Sequence, residues 1–143
     1  MAARSGVVGY GATVEMDPAV TLRIPAHPAY VVLVRAAVSA MCARLDFTID
    51  RIEDVKLAVG ESAALLLSDA PEGAHLDIRL TPDAPDGLRV EMTSPTVHGR
   101  SVPRDGFTWM VLTALVDEVV ASVSPERNLT ISLAAHRSAA VRP

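Results

Sequence analysis

Few side chains in this 143-residue chain are grouped as reactive chemistry requires. The four histidines, His27, His75, His98 and His136, are scattered with none of the short spacings from which a zinc site is built. The single cysteine, Cys42, can make no internal disulfide and has no second Cys for a zinc knuckle. Ser62 directly follows Glu61, yet no His is placed to activate its hydroxyl and no Gly-x-Ser-x-Gly elbow surrounds it, which disfavours a hydrolase. Asn128-Leu129-Thr130 spells a glycosylation acceptor and is read as chance. What is left is Glu61, an acid flanked by Leu57, Ala58 and Leu65, together with Asp105-Gly106-Phe107-Thr108. There the free N–H groups at a helix start could favour an anion. No metal centre is expected.

Composition bounds the rest. Half of the residues are apolar, 21% are charged and 3% are aromatic. A domain of this length buries about 70% of the surface its unfolded chain exposes. With two Phe, two Tyr and one Trp, Ala, Val and Leu must fill that core. Trp109 and Met110 are read as packing. The net charge of −4, with no run of Lys or Arg, lacks the footprint of a nucleic-acid binder, so no direct contact with DNA or RNA is expected. Arg35 and Arg44 interrupt the apolar stretch from Tyr30 to Leu45, and Lys56, Gly60 and Glu61 interrupt that from Val55 to Leu67. Neither reaches the roughly 18 residues a membrane span needs. Residues 1–17 show no signal-peptide pattern and read as a flexible leader, 18–137 as one domain and 138–143 as a tail; the chain reads as cytoplasmic.

Periodicity supplies the elements. Val20 to Ile24 alternates for one strand, stopped by Pro25. A helix is expected from about His27-Pro28 to Leu45, burying Tyr30, Val34, Ala37, Val38, Met41 and Leu45 and turning Arg35 and Ser39 toward solvent. Asp50-Arg51-Ile52-Glu53 reads as a capping box that opens a second helix, to about Ser68. Its core stripe is Ile52, Val55, Val59, Ala63 and Leu66, with Asp54, Ala58, Glu61 and Leu65 on another face. Leu76, Ile78 and Leu80, then Leu88, Val90 and Met92, flank a turn-rich stretch and form an antiparallel hairpin. Phe107 to Val120 reads as a third helix, apolar on most faces and so largely buried, and Leu129, Ile131 and Leu133 as a last strand. The fold class is α+β: a two-layer sandwich with a mostly antiparallel sheet and its helices on one face.

This order of elements, with RIPAHPAYVVLVRAAVSAMCARLDFTIDRIEDVKLAVGESAALLL and then GFTWMVLTALVDEV, resembles the anti-sigma factors and serine kinases of the RsbW type. Those proteins use the two-layer ATP-binding fold of histidine kinases, the Bergerat or GHKL type. The resemblance covers residues 19–136 and is most specific at Arg35, Leu45-Asp46, Thr48, Asp50 and Val59-Gly60-Glu61. FTWMVLTALVDEV looks like the UsfX-like branch. The resemblance implies an anti-sigma factor that sequesters an alternative sigma factor and is released by partner switching with an anti-anti-sigma protein of the STAS type. It implies Arg35, with Ser39 beside it, as the partner-binding surface; the plainer reading is a helix-surface Arg that only solvates the fold. Homodimers occur in the family. An acidic regulator of this kind would suit the basic, DNA-directed surface of a sigma factor.

The resemblance also implies a nucleotide site, here altered. The family's Glu-x-x-x-Asn, in which the Asn oxygen reaches Mg²⁺, reads Glu61-Ser62-Ala63-Ala64-Leu65, and Leu65 offers no oxygen. At the family's Asp-x-Gly-x-Gly, Ser94 falls at the Asp place and Thr96 at the first Gly, with Pro95 between. The later Gly-x-Gly is reduced to Gly106-Phe107-Thr108. ATP and Mg²⁺ are therefore expected to bind weakly or not at all. The alternative is an active ATP-dependent serine/threonine kinase of the STAS partner, with Glu61 catalytic.

Overall fold

In the computed structural model, residues 18–138 are described; the leader and the end of the tail lie outside them. Strand β1 (Val20–Pro25) leads through a 3-10 turn, Pro28–Tyr30, into α1 (Val31–Arg44) and α2 (Ile49–Ser68). The hairpin β2 (His75–Asp83) and β3 (Gly87–Pro95) follows, then α3 (Phe107–Leu115), β4 (Glu118–Val123) and β5 (Asn128–His136). The strands lie in the order β1-β2-β3-β5-β4, with every neighbouring pair antiparallel.

Register sorts the residues by face, because successive side chains of a strand point to opposite sides. Leu22, Ile78, Met92, Ile131 and Ala121 form one row across all five strands, beneath the helices. The next row, Thr21, Arg79, Glu91, Ser132 and Val120, belongs to the opposite, mostly polar face. From the helix layer, Val34, Val38 and Cys42 of α1 and Val55, Ala58, Val59, Ala63 and Leu66 of α2 complete the core. Among the described residues its one buried aromatic is Phe47, in the α1–α2 connection. That connection turns through Asp46 at φ +62°, a left-handed conformation that Asp tolerates better than most residues.

Four expectations are corrected. The third helix stops at Leu115, and Glu118–Val123 is a strand. Val119, Val120 and Val123 are β-branched residues that sit well on a pleated surface, and β5 offers them an open edge, with Ala121 opposite Ile131. Nor is α3 largely buried. Leu112 is its one fully buried residue, while Phe107 and Met110 are 76% and 62% exposed. The cap of α2 is Thr48, whose Oγ1 accepts from the Arg51 N–H at 3.2 Å, and not Asp50. Glu53 pairs instead with Lys56, at 3.2 Å. Tyr30, placed in the stripe of the first helix, is 41% exposed in the 3-10 turn before it.

Candidate functional site

The α1–α2 layer presents two regions of interest. On the outer surface, Arg35 is exposed and Ser39 half-buried, one turn apart on α1. The Arg35 side chain crosses α2 at Gly60, where a β-carbon would meet Nη1 at 3.4 Å and Cδ at 3.6 Å. Among the described residues its guanidinium enters no ion pair. Beside it runs a groove of about 430 Å³ lined by Pro28 and Val31 on one side and Gly60, Ala64, Leu67 and Ser68 on the other. The small residues Gly60 and Ala64 open this groove. Val32 and Leu57, both more than half exposed, add apolar surface on the two helices.

The second region lies at the C-terminal end of α2. A cavity of about 440 Å³ is lined by Leu65, Ser68, Asp69, His98, Arg100, Ser101, Val102, Pro103 and Leu129. Of the four positions assigned to a nucleotide site, Leu65 alone reaches this cavity; Glu61, Ser94 and Gly106 are outside its lining. Glu61 is half-buried on α2. Ser94 is buried, and its hydroxyl donates to the Pro95 carbonyl at 3.1 Å. The Thr96 hydroxyl oxygen accepts from the Gly99 N–H at 2.7 Å. Gly106 is the N-cap of α3 and supplies no side-chain bond. The donor set therefore fits a metal-bound nucleotide poorly: the one expected position that reaches the cavity is a hydrocarbon, and the hydroxyls of Ser94 and Thr96 bond to nearby backbone.

Two clusters escaped the sequence reading. Asp69, the C-cap of α2, accepts the His98 N–H through Oδ2 at 3.1 Å and meets His98 Nδ1 through Oδ1 at 2.5 Å. That hydrogen bond, ahead of all other influences, holds the Asp69 carboxyl below the usual carboxylate range. At the other end of α2, Arg51 is buried. It donates to the carbonyls of Leu115 at 2.7 Å and His136 at 3.0 Å and to Asp117 Oδ2 at 2.5 Å, tying α2 to the start of β4 and the end of β5. Neither cluster has a local signal, since its partners are far apart in the chain. Among the described residues no group of three or more His, Cys, Asp or Glu is placed to hold a metal, and no helix is long and apolar enough to cross a membrane.

A two-layer α+β sandwich with a helix pair on a five-stranded antiparallel sheet is the class that this geometry defines. No protein-family model matches the chain. It is 44% identical over 43 residues to the serine-protein kinase RsbW of Bacillus velezensis, covering 30% of this chain and 27% of that one. With RsbW of Listeria monocytogenes it shares 38% over 58 residues, 41% and 37% of the two chains. With the anti-sigma-F factor RsbW of Mycobacterium tuberculosis it shares 33% over 101 residues, 71% and 60%. The chain thus matches between about a quarter and three-fifths of the length of these relatives. The solved RsbU and RsbW domains of another Mycobacterium tuberculosis protein superpose with a TM-score of 0.62 at 17% identity, over 84% of this chain and 32% of that one, a likeness of fold. Over these stretches the chain is similar to proteins of the RsbW type.

Proposed function

We propose that the chain is an anti-sigma factor. It holds an alternative sigma factor through the outer surface of α1 and α2 and releases it when an anti-anti-sigma protein of the STAS type takes its place. The observation that carries this reading is Arg35: an exposed guanidinium without an ion-pair partner among the described residues, laid across Gly60 beside an apolar groove. An unpaired Arg set among apolar side chains is the composition of an interface hot spot. Ser39 extends the same surface. The net charge of −4 supports a basic partner, by electrostatic complementarity. The names of the relatives, one an anti-sigma-F factor, agree with this reading. Homodimerisation is part of the proposal.

A second reading, an ATP-dependent serine/threonine kinase acting on the STAS partner, is favoured by the half-buried Glu61 and by the kinase names of the Bacillus and Listeria relatives. The hydrocarbon side chain of Leu65 in the cavity wall favours the first. We hold that Mg-ATP binds weakly or not at all. The sigma factor is found by co-purification from the native host. Arg35→Glu is expected to weaken its capture at least about 30-fold, a hot-spot-sized loss, with the melting temperature unchanged. Undiminished capture would reject the assigned surface. Micromolar Mg-ATP binding by calorimetry, with phosphorylation of the antagonist that Glu61→Ala abolishes, would establish the kinase instead.

A further inference from the structure

Loop segments ordinarily have few internal bonds and open easily. The segment leaving β3 toward α3 does not fit that pattern. Four consecutive amides, Thr96 to Gly99, each find an acceptor within the protein. The Thr96 N–H donates to the Arg127 carbonyl at 2.9 Å and the Val97 N–H to the Asp69 carbonyl at 2.7 Å. The His98 N–H donates to Asp69 Oδ2 and the Gly99 N–H to Thr96 Oγ1. Side chains close the same knot: His98 Nδ1 meets Asp69 Oδ1, and Arg127 Nη2 donates to the Val97 carbonyl at 2.7 Å. Arg127 is itself fixed in the β4–β5 turn, at φ +67°, by its N–H bond to the Ser124 carbonyl. Gly99 lets the Arg127 side chain approach, since a β-carbon there would stand 3.0 Å from Nε.

We infer that Asp69 and Arg127 form a clasp that holds residues 96–99 on the end of α2 without any ligand, so that the wall of the Leu65 cavity is set by the chain's own residues. Asp69 supplies three of the acceptors, two from its carboxylate and one from its carbonyl, and is the centre of the clasp. His98, itself part of the cavity wall and two residues before Arg100, transmits the restraint to the lining that follows, Arg100 to Pro103. The clasp stands on these contacts alone. Its consequence rests on the anti-sigma reading: a surface ordered without nucleotide captures its partner without nucleotide.

The test is amide hydrogen exchange on the whole chain, with and without Mg-ATP. In the unliganded wild type, the amides of Val97, His98 and Gly99 are expected to exchange at least about 100-fold more slowly than unstructured backbone. Asp69→Ala should raise their rates about tenfold or more while the β3 and β5 amides keep theirs. His98→Ala removes one arm, leaves the end of α2 intact, and should give a smaller rise confined to residues 96–100; it serves if Asp69→Ala does not fold. Mg-ATP should leave the wild-type rates unchanged. Unprotected amides in the unliganded chain, or protection that comes only with Mg-ATP, overturns the clasp. A protected segment in a chain that captures no sigma factor leaves the clasp standing and refutes the functional reading.

Discussion

The Arg35 guanidinium lies over the backbone of Gly60, with Nη1 and Cδ at 3.4 and 3.6 Å from where a β-carbon would sit. A glycine in the interior of a 20-residue helix weakens it by about 1 kcal/mol relative to Ala. The 3.4 Å approach involves the mobile end of a long side chain, so a methyl group can be accommodated by a small shift of Arg35. Gly60→Ala is therefore expected to stabilise the fold by about 0.5–1 kcal/mol, read as a higher urea midpoint. Gly60→Leu should push Arg35 off the helix and weaken sigma capture. A lower midpoint for Gly60→Ala would show that α1 and α2 need the bare backbone there.

Arg51 is the fold's most consequential charge. It is buried, and its bonds to Asp117 and to the Leu115 and His136 carbonyls join α2 to β4 and β5. Removing one member of such a group strands the others without partners, at a cost of about 3 kcal/mol or more. Arg51→Ala should lower stability by that order in urea unfolding. Asp117→Asn should cost less, because Asp117 is a quarter exposed and an amide oxygen can still accept. If Arg51→Ala costs under about 1 kcal/mol, the value of an exposed pair, water replaces the guanidinium and the network is dispensable.

Ser62 is the reverse case. Its residue is fully buried and its hydroxyl has no hydrogen-bond partner. A buried unsatisfied polar group costs about 1–3 kcal/mol, and Ala is the better helix former. Ser62→Ala is thus expected to raise the urea midpoint, with little change in the slope that reports exposed area. A destabilised variant would mean that the hydroxyl has an ordered water.

Much of this architecture was legible in the chain. The strands β2, β3 and β5 alternate strictly, and both helices of the first pair carry apolar stripes, so the two layers and the antiparallel sheet follow from period alone. Where the reading failed, a tertiary partner decided the outcome. Phe107 to Val120 is apolar on most helical faces, interrupted late by Asp117 and Glu118, a pattern that does not separate one long helix from a short helix followed by an edge strand; β5 makes the choice by pairing with Glu118–Val123. The buried stripe of α2 includes Arg51, Ala58 and Ser62, which periodicity left out of the core. Arg51 is buried because carbonyl groups distant in sequence receive it. Asp69, His98 and Arg127 carried no signal for the same reason. Leu65, by contrast, was marked only through the resemblance, as the altered position of the Glu-x-x-x-Asn motif; it lines the cavity at the end of α2.

Burial of Cys42 makes the stability of the fold fall with rising pH in the alkaline range. The residue is fully buried on α1, and burial pushes its thiol up to about 12, with the Arg51 charge pulling the other way. The unfolded thiol titrates near ~8.5, so above that pH the unfolded chain releases a proton that the folded chain keeps. The stability linked to Cys42 is whole below pH ~8.5 and is lost as pH rises from there toward the folded value, by at most about 1.4 kcal/mol per pH unit. Other groups titrate in the same range, so the comparison is with Cys42→Ala. Between pH 8.5 and 10.5 the wild type should lose stability more steeply than the variant, and its thiol should react with an aromatic disulfide reagent only as fast as the fold opens. Parallel pH curves, or rapid labelling of the native protein at pH 8, would show that Cys42 is reached by water without unfolding.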